Sequence, residues 1–312
     1  MHILVSGTNG LIGSALTPEL EAAGHRVTRL VRGRARPGWG EVAWEPEAGR
    51  MPPQSLEGVD AVVHLAGEGI VGRWTADKKR RIYDSRVHGT RVLCEALRQV
   101  AKPPKIFVCA SAIGYYGNRG ERLLLEESRA GQDFLARVCV DWEGAASSVA
   151  ERGIRVVTLR LGMVLSPSGG ALGQMLPPFR LGLGGVLGGG AQYMSWVALD
   201  DVVGAITHVL TTESLQGAVN LVAPDPVTNR DFTKTLGRVL RRPTRFAVPA
   251  FGARLLFGEM ADALLLASTR VEPGKLNASG YLFRFPELEG ALRHVLGKPL
   301  SDPEPHAAEA AG

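Results

Sequence analysis

His2-Ile3-Leu4-Val5-Ser6-Gly7-Thr8-Asn9-Gly10-Leu11-Ile12-Gly13-Ser14-Ala15-Leu16 is an apolar run, a turn with glycines at 7, 10 and 13, and the start of a helical pattern that ends at Gly24. A strand that enters such a turn and leaves at once as a helix is the context in which a glycine turn binds a dinucleotide. Gly7 is expected to permit the tight turn, Gly10 to let a pyrophosphate approach the backbone, and Gly13 to let the helix pack on the strand. The pyrophosphate would rest on unpaired N–H groups at the helix N-terminus, with Thr8, Asn9, Leu11 and Ile12 around it. The spacing is G-x-x-G-x-x-G rather than G-x-G-x-x-G, so the turn alone leaves an ordinary glycine-rich connection open.

Working outward, His25 to Val31 alternates and is β-rich, which reads as the second strand. A ribose 2′-OH is usually held at the end of this strand by Asp or Glu, and a 2′-phosphate by Arg. Here the strand runs into Arg32-Gly33-Arg34, and no acidic residue occurs between Glu21 and Glu41. NADP(H) is therefore expected over NAD, with Arg32 as the phosphate contact; a plain surface arginine is the alternative. Val59 to Gly67 is a buried strand that closes on Ala66-Gly67, small residues that let a cofactor approach the backbone. His64, inside that apolar run, reads as a satisfied core histidine rather than a base.

Further along, Glu41–Trp44 reads as a short strand, Thr75 to Val100 as one amphipathic helix, and Lys105 to Ser111 as a buried strand. The loop Ser111-Ala112-Ile113-Gly114-Tyr115-Tyr116-Gly117 then brings hydroxyls to the ligand side of the sheet. A helix over 133–152 and a strand over 154–161 continue a βα rhythm, which predicts an α/β fold with a Rossmann-type doubly wound parallel sheet. Residues 166–190 are punctuated by Gly and Pro, and read either as a mobile cover over a substrate cleft or as an inter-lobe linker. Asp200-Asp201 is expected to cap a helix through Leu210, and Thr228 or Asn229 one to about Leu240. Helical patterns follow over 250–267 and 286–296. The division expected is an NADP-binding core over 1–165, completed by about 191–224. A smaller C-terminal substrate lobe would comprise 166–190 and 225–297, with a disordered tail over 298–312.

The bulk numbers narrow the classes. Cys94, Cys109 and Cys139 form no Cys-x-x-Cys pair, which points to neither zinc nor a disulfide framework and fits a reducing compartment. No signal peptide and no apolar run long enough to span a bilayer is read, so a cytoplasmic protein with no membrane partner is expected. The net charge of +5 is spread along the chain. Its one basic run, Lys78-Lys79-Arg80-Arg81, reads as a solvated helix face, and no nucleic-acid partner is expected.

These residues together resemble the extended short-chain dehydrogenase/reductase superfamily: the Gly7/Gly10/Gly13 turn, His64-Leu65-Ala66-Gly67, Ser111 with Tyr115-Tyr116-Gly117, and the Asp200-Asp201 helix. Trp142-Glu143, Gly169-Gly170-Ala171-Leu172, Pro177-Pro178-Phe179-Arg180-Leu181-Gly182-Leu183-Gly184-Gly185 and Ser195-Trp196 resemble its atypical "epimerase family" branch. Ser279-Gly280-Tyr281 with Phe283 to Leu288 is similar to the C-terminal domain of that branch. The resemblance covers about 1–297. It implies NADP(H) held by the N-terminal turn, Arg32, the backbone at Leu65-Ala66, and Arg86 in Arg86-Val87-His88-Gly89-Thr90. It also implies a small-molecule substrate such as a sugar nucleotide, and a homodimer through helices 75–100 and 133–152.

Catalysis is where the chain departs from the superfamily. Members use Tyr-x-x-x-Lys, whose lysine lowers the pKa of the tyrosine acid/base. This chain has no lysine between Lys105 and Lys234, and reads Cys139-Val140-Asp141-Trp142-Glu143 where the motif belongs. Three readings are carried forward. In one, an oxidoreductase or epimerase uses Ser111 to polarise a carbonyl and Tyr115 or Tyr116 to carry the proton, although both tyrosines could instead pack beside the cofactor. In another, a non-catalytic module senses NADP(H) and acts through a partner. The least favoured is a nucleic-acid-binding role on the basic surface.

Overall fold

The computed structural model describes residues 1–299. Seven strands form one sheet: β1 (His2–Ser6), β2 (Arg26–Arg32), β3 (Glu41–Trp44), β4 (Ala61–His64), β5 (Ile106–Ala112), β6 (Arg155–Leu161) and β7 (Gly217–Leu221). Their order is β7-β6-β5-β4-β1-β2-β3, and every neighbouring pair is parallel. The order reverses between β1 and β4, the switch point outside which open α/β sheets bind ligands.

An all-parallel sheet needs both faces covered, and the alternation of side chains along each strand supplies two apolar faces. Leu4, Val62 and Phe107 pack with Leu93 and Leu97 of α3 (Gly89–Gln99) and Trp142 of α4 (Phe134–Ser147). Their neighbours Ile3, Val63 and Val108 point the other way, onto Leu16 and Leu20 of α1 (Leu11–Ala22) and Val202 and Ile206 of α6 (Leu199–Thr211). Fully burying each such aliphatic side chain contributes about 1.5–3 kcal/mol.

Two expectations about helices change in detail. The segment expected as one helix over 75–100 is α2 (Ala76–Tyr83), capped by the Thr75 hydroxyl, then a π-helical turn over Asp84–His88, then α3. Such turns recur at functional sites, and this one carries Arg86. Residues 166–190, read as a cover or linker, contain α5 (Gly170–Arg180) despite Pro177 and Pro178. Leu172, Leu176 and Phe179 on one side of α5 pack with Phe232 and Leu236 of α7 (Asn229–Leu240) and Leu292 of α10 (Leu288–Val295), and this burial outweighs the helix-breaking signals.

The lobe is completed by α8 (Ala250–Phe257), a π-helical turn at Ala261–Leu265 and α9 (Gly274–Ala278). Thr228 caps α7 as expected. Asp200 and Asp201 do not cap α6, whose N-cap is Ala198. Asp201 is instead buried, and its carboxylate accepts the backbone N–H groups of Arg284 (2.7 Å) and Phe285 (3.0 Å), pinning the C-terminal segment to the core. The tail expected over 298–312 lies, past Pro299, outside the described residues.

Candidate cofactor and active site

The glycine turn is pressed between two pieces of backbone. Gly7 has φ +71°, and a Cβ on it would lie 2.8 Å from the Leu65 carbonyl carbon. A Cβ on Gly13 would lie 2.3 Å from the Gly7 carbonyl oxygen. Gly10 precedes α1 with no side-chain cap, so no capping side chain satisfies the first N–H groups of that helix, from Leu11 on. Asn9 and Gly10 are exposed, Thr8 is buried, and Leu11 reaches across to Gly170 at the start of α5.

Beneath the turn, the Ser6 hydroxyl accepts the backbone N–H groups of Leu65 (3.1 Å) and Ala66 (3.3 Å). Its own proton therefore goes to His64 Nδ1 at 2.7 Å, which leaves Nε2–H to be donated to Thr90 Oγ1 at 3.1 Å. Thr90 Oγ1 also accepts the indole N–H of Trp142. Burial alone pulls the His64 pKa down to about 4, so the ring is neutral at ordinary pH. His64 is the satisfied core histidine that the sequence suggested.

Two arginines flank this backbone. Arg86 lies under Gly67, where a Cβ would stand 3.3 Å from its guanidinium carbon. It is packed over the Trp142 ring and donates to the carbonyls of Glu68 (2.9 Å) and Ile82 (3.3 Å). Burial holds its pKa below the usual arginine value. Arg32 ends β2 beside Trp44, is exposed, and pairs with no side chain among the described residues.

The corner beyond β5 is built differently. Ser111, 2% exposed, stands in register with Arg160 on β6 and donates to Glu143 Oε1 of α4 at 2.7 Å. Glu143 takes Arg160 in a two-pronged pair, Nε to Oε1 at 2.9 Å and a terminal nitrogen to Oε2 at 2.8 Å. Arg160 also donates to the Tyr116 hydroxyl (2.9 Å), which in turn donates to Asn220 Oδ1 (2.6 Å). Burial opposes the charge on Arg160, but Glu143 and Tyr116 outweigh it and hold its pKa above the usual arginine value. The Arg160 guanidinium carbon lies 3.4 Å over the Tyr115 ring.

This geometry corrects the catalytic expectations. Tyr116 is fully buried, both sides of its hydroxyl are used inside the protein, and burial pushes its pKa up to about 12. In this geometry it links Arg160 to Asn220 and offers no free proton to a ligand. Ser111 donates its O–H to Glu143, so in this geometry it anchors that carboxylate rather than facing a carbonyl. Tyr115 is half-buried and is the remaining phenol of the loop. In the stretch of α4 where the lysine motif belongs, Cys139 is buried, and burial pushes its pKa up to about 12.

Sequence reasoning missed Arg160 and Asn220 as partners of this corner. The available signal was an arginine inside the apolar strand Arg155–Leu161, since a buried charge requires a partner. It also missed Arg270. The Ser195 hydroxyl donates to Thr269 O and accepts from Val271 N–H, clamping the backbone on both sides of Arg270, while the Ser195 carbonyl holds Met163 N–H just past β6. Arg270 therefore stands at the carboxyl end of the sheet, packed 5.0 Å from the Tyr193 ring, with its buried Nε unpartnered among the described residues.

Comparison with known proteins follows the same outline. The model of the NAD dependent epimerase/dehydratase family matches residues 3–221, and that of a domain of unknown function, DUF1731, matches 248–295. Epimerase family protein Mb2239 of Mycobacterium bovis is 44% identical over 298 residues, covering 95% of this chain and 98% of that protein. Human epimerase family protein SDR39U1 is 37% identical over 300 residues, 95% of this chain and 100% of its own length. A crystal structure of the human protein (isoform 2, with NADPH) matches with a TM-score of 0.88 at 36% identity, covering 95% of this chain and 99% of that one. With its sheet and its C-terminal lobe both matched, the chain belongs to the NAD-dependent epimerase/dehydratase family, in the epimerase-family branch that joins a Rossmann-like core to the DUF1731 domain.

Proposed function

We propose that the chain binds NADP(H) outside β1, β2 and β4 and acts as an oxidoreductase or nucleotide-sugar epimerase. One observation carries the cofactor choice: Arg32 stands exposed at the end of β2 with no side-chain partner among the described residues, beside a glycine turn that gives the α1 N-terminus no side-chain cap. The donor set fits a dinucleotide phosphate, and the human relative crystallised with NADPH supports the same reading. When bound, the nicotinamide would supply the hydride acceptor or donor. The chain's own residues do the rest. The α1 N-terminus and the backbone at Thr8, Asn9, Gly10 and Leu11 bind the pyrophosphate, Arg32 binds the 2′-phosphate, and Leu65, Ala66 and Gly67 over Arg86 shape the far side.

Tyr115 carries the proton at the substrate oxygen, resting on Arg160. Arg270 takes an anionic group of the substrate, as a sugar nucleotide offers. The core over 1–165 and 191–224 would hold the cofactor, and 166–190 with 225–297 the substrate. The three buried, free cysteines support a reducing, cytoplasmic setting.

Titration of cofactor-stripped protein with NADPH and then NADH, read by energy transfer from its five tryptophans, tests the cofactor assignment. Tight NADPH binding with weak NADH binding is expected, and equal affinities would remove Arg32 from its role. The self-satisfied corner around Arg160 favours a second reading, in which NADP(H) is sensed without turnover. A screen of sugar nucleotides and carbonyl compounds that yields no turnover in tightly NADPH-binding protein would establish that reading over the first.

A further inference from the structure

The C-terminal lobe carries a large apolar face that the described chain leaves uncovered. In α8, Ala250-Phe251-Gly252-Ala253-Arg254-Leu255-Leu256-Phe257, small Ala253 points inward, while Phe251, Leu255 and Leu256 are 73%, 75% and 67% exposed. A surface helix ordinarily does the reverse. Exposed Phe246 extends this face, as do Leu181 and Leu183, through the parallel pairing of Phe246–Val248 with Gly185–Leu187. Contiguous exposed apolar surface of this kind marks an interaction site.

Charge selects the partner. Between Asp231 and Glu259 the chain has six basic residues and no acidic one. Arg238 pairs with Glu289 and Arg254 with Asp262, so the positive excess beside the apolar tips is carried by exposed Arg242 and Arg245. A cavity of about 320 Å³ lined by Arg180, Arg242 and Lys298 with Leu240 and Leu296 adjoins Leu181. Arg242 is held there by donation to the Arg180 carbonyl at 2.9 Å. A second copy docked here by a two-fold axis would set these cations against their own images. Apolar tips rimmed by arginines, next to a cationic cavity, match the acyl and phosphate layers of an anionic bilayer.

We propose that this face docks on anionic membranes. Phe251, Leu255 and Leu256 enter the interfacial layer, while Arg245 and the Arg180–Arg242–Lys298 cavity take lipid phosphates. No spanning segment is involved, since no helix among the described residues is long and apolar enough to cross a membrane. The sequence-level expectation of no membrane partner rested on spanning segments, and a surface contact is a different device.

Pelleting of the full chain with vesicles tests this, using phosphatidylcholine alone or mixed with phosphatidylglycerol. The protein should pellet with the mixed vesicles only, and less so as salt rises. Phe251→Asp with Leu255→Asp should cut the bound fraction about tenfold or more, and Arg245→Glu roughly fivefold. Thermal midpoint and NADPH affinity should stay those of the parent. Pelleting with neither vesicle, equal pelleting with both, or undiminished pelleting of the double variant overturns the proposal. So does sedimentation velocity that shows a dimer, made monomeric by the double variant, without vesicle binding: the face would then belong to a second copy.

Discussion

Arg32 and Arg160 both end up at the carboxyl edge of the sheet, in opposite states. Arg32, at the end of β2, is exposed and meets no side chain among the described residues, beside a turn whose Gly7 and Gly13 leave no room for a Cβ. Arg160, on β6, is 3% exposed, with its nitrogens spent on Glu143, Tyr116 and the Glu126 carbonyl and its face on Tyr115. The first region leaves donors for a ligand to satisfy. The second has already satisfied its own and serves to hold β5, β6, α4 and β7 together. A polar residue at the ligand edge is therefore not by itself a ligand contact, and the hydrogen-bond account of each group decides which it is.

The sharpest break is on the closed side. Glu143→Ala strands Arg160 in the core without its counter-charge and should cost about 3–5 kcal/mol in urea unfolding. A loss near zero would mean that water or a neighbour replaces the carboxylate.

A pH series probes the buried His64 between the two regions. Its folded pKa, about 4, lies below the usual value of 6.5, so the unfolded chain binds the proton more readily. Stability should be flat above about pH 6.5 and fall by about 3 kcal/mol as pH drops toward 4. In His64→Gln this component of the fall should disappear.

On the open side, Gly13→Ala drives a Cβ into the Gly7 carbonyl, and about 1–3 kcal/mol of stability should go with NADPH binding. Calorimetry and the fluorescence titration read the two effects separately. Arg32→Ala should weaken NADPH roughly tenfold or more while leaving NADH affinity and thermal midpoint unchanged. A matching loss of NADH binding would show that the arginine supports the turn instead.

The mildest contrast is within the tyrosine pair. Tyr116→Phe should cost about 1 kcal/mol of stability through its two lost hydrogen bonds. Tyr115→Phe should leave stability intact and abolish any turnover found. The opposite pattern would exchange the two assignments.

The strands were legible because each is a local apolar run between turn signals, and Glu41–Trp44 was bounded to the residue. The glycine turn was legible because strand, turn and helix follow one another within sixteen residues. The helix at Gly170–Arg180 was not, because Pro177 and Pro178 argue against it locally and only packing on α7 and α10 argues for it. Asp201 misled for a similar reason. Near the start of a helix a carboxylate suggests a cap, but its partners, Arg284 and Phe285, lie over eighty residues away.

The sequence by itself determined the doubly wound sheet, the glycine turn and the missing lysine, since each is written in contiguous residues or in the absence of a residue type. Only the tertiary structure decided which hydroxyls and charges remain open to a ligand. Ser111, Tyr116, Glu143, Arg160 and Asn220 become partners only when β5, α4, β6 and β7 pack together, and a buried polar group takes its role from whatever partner the fold brings to it.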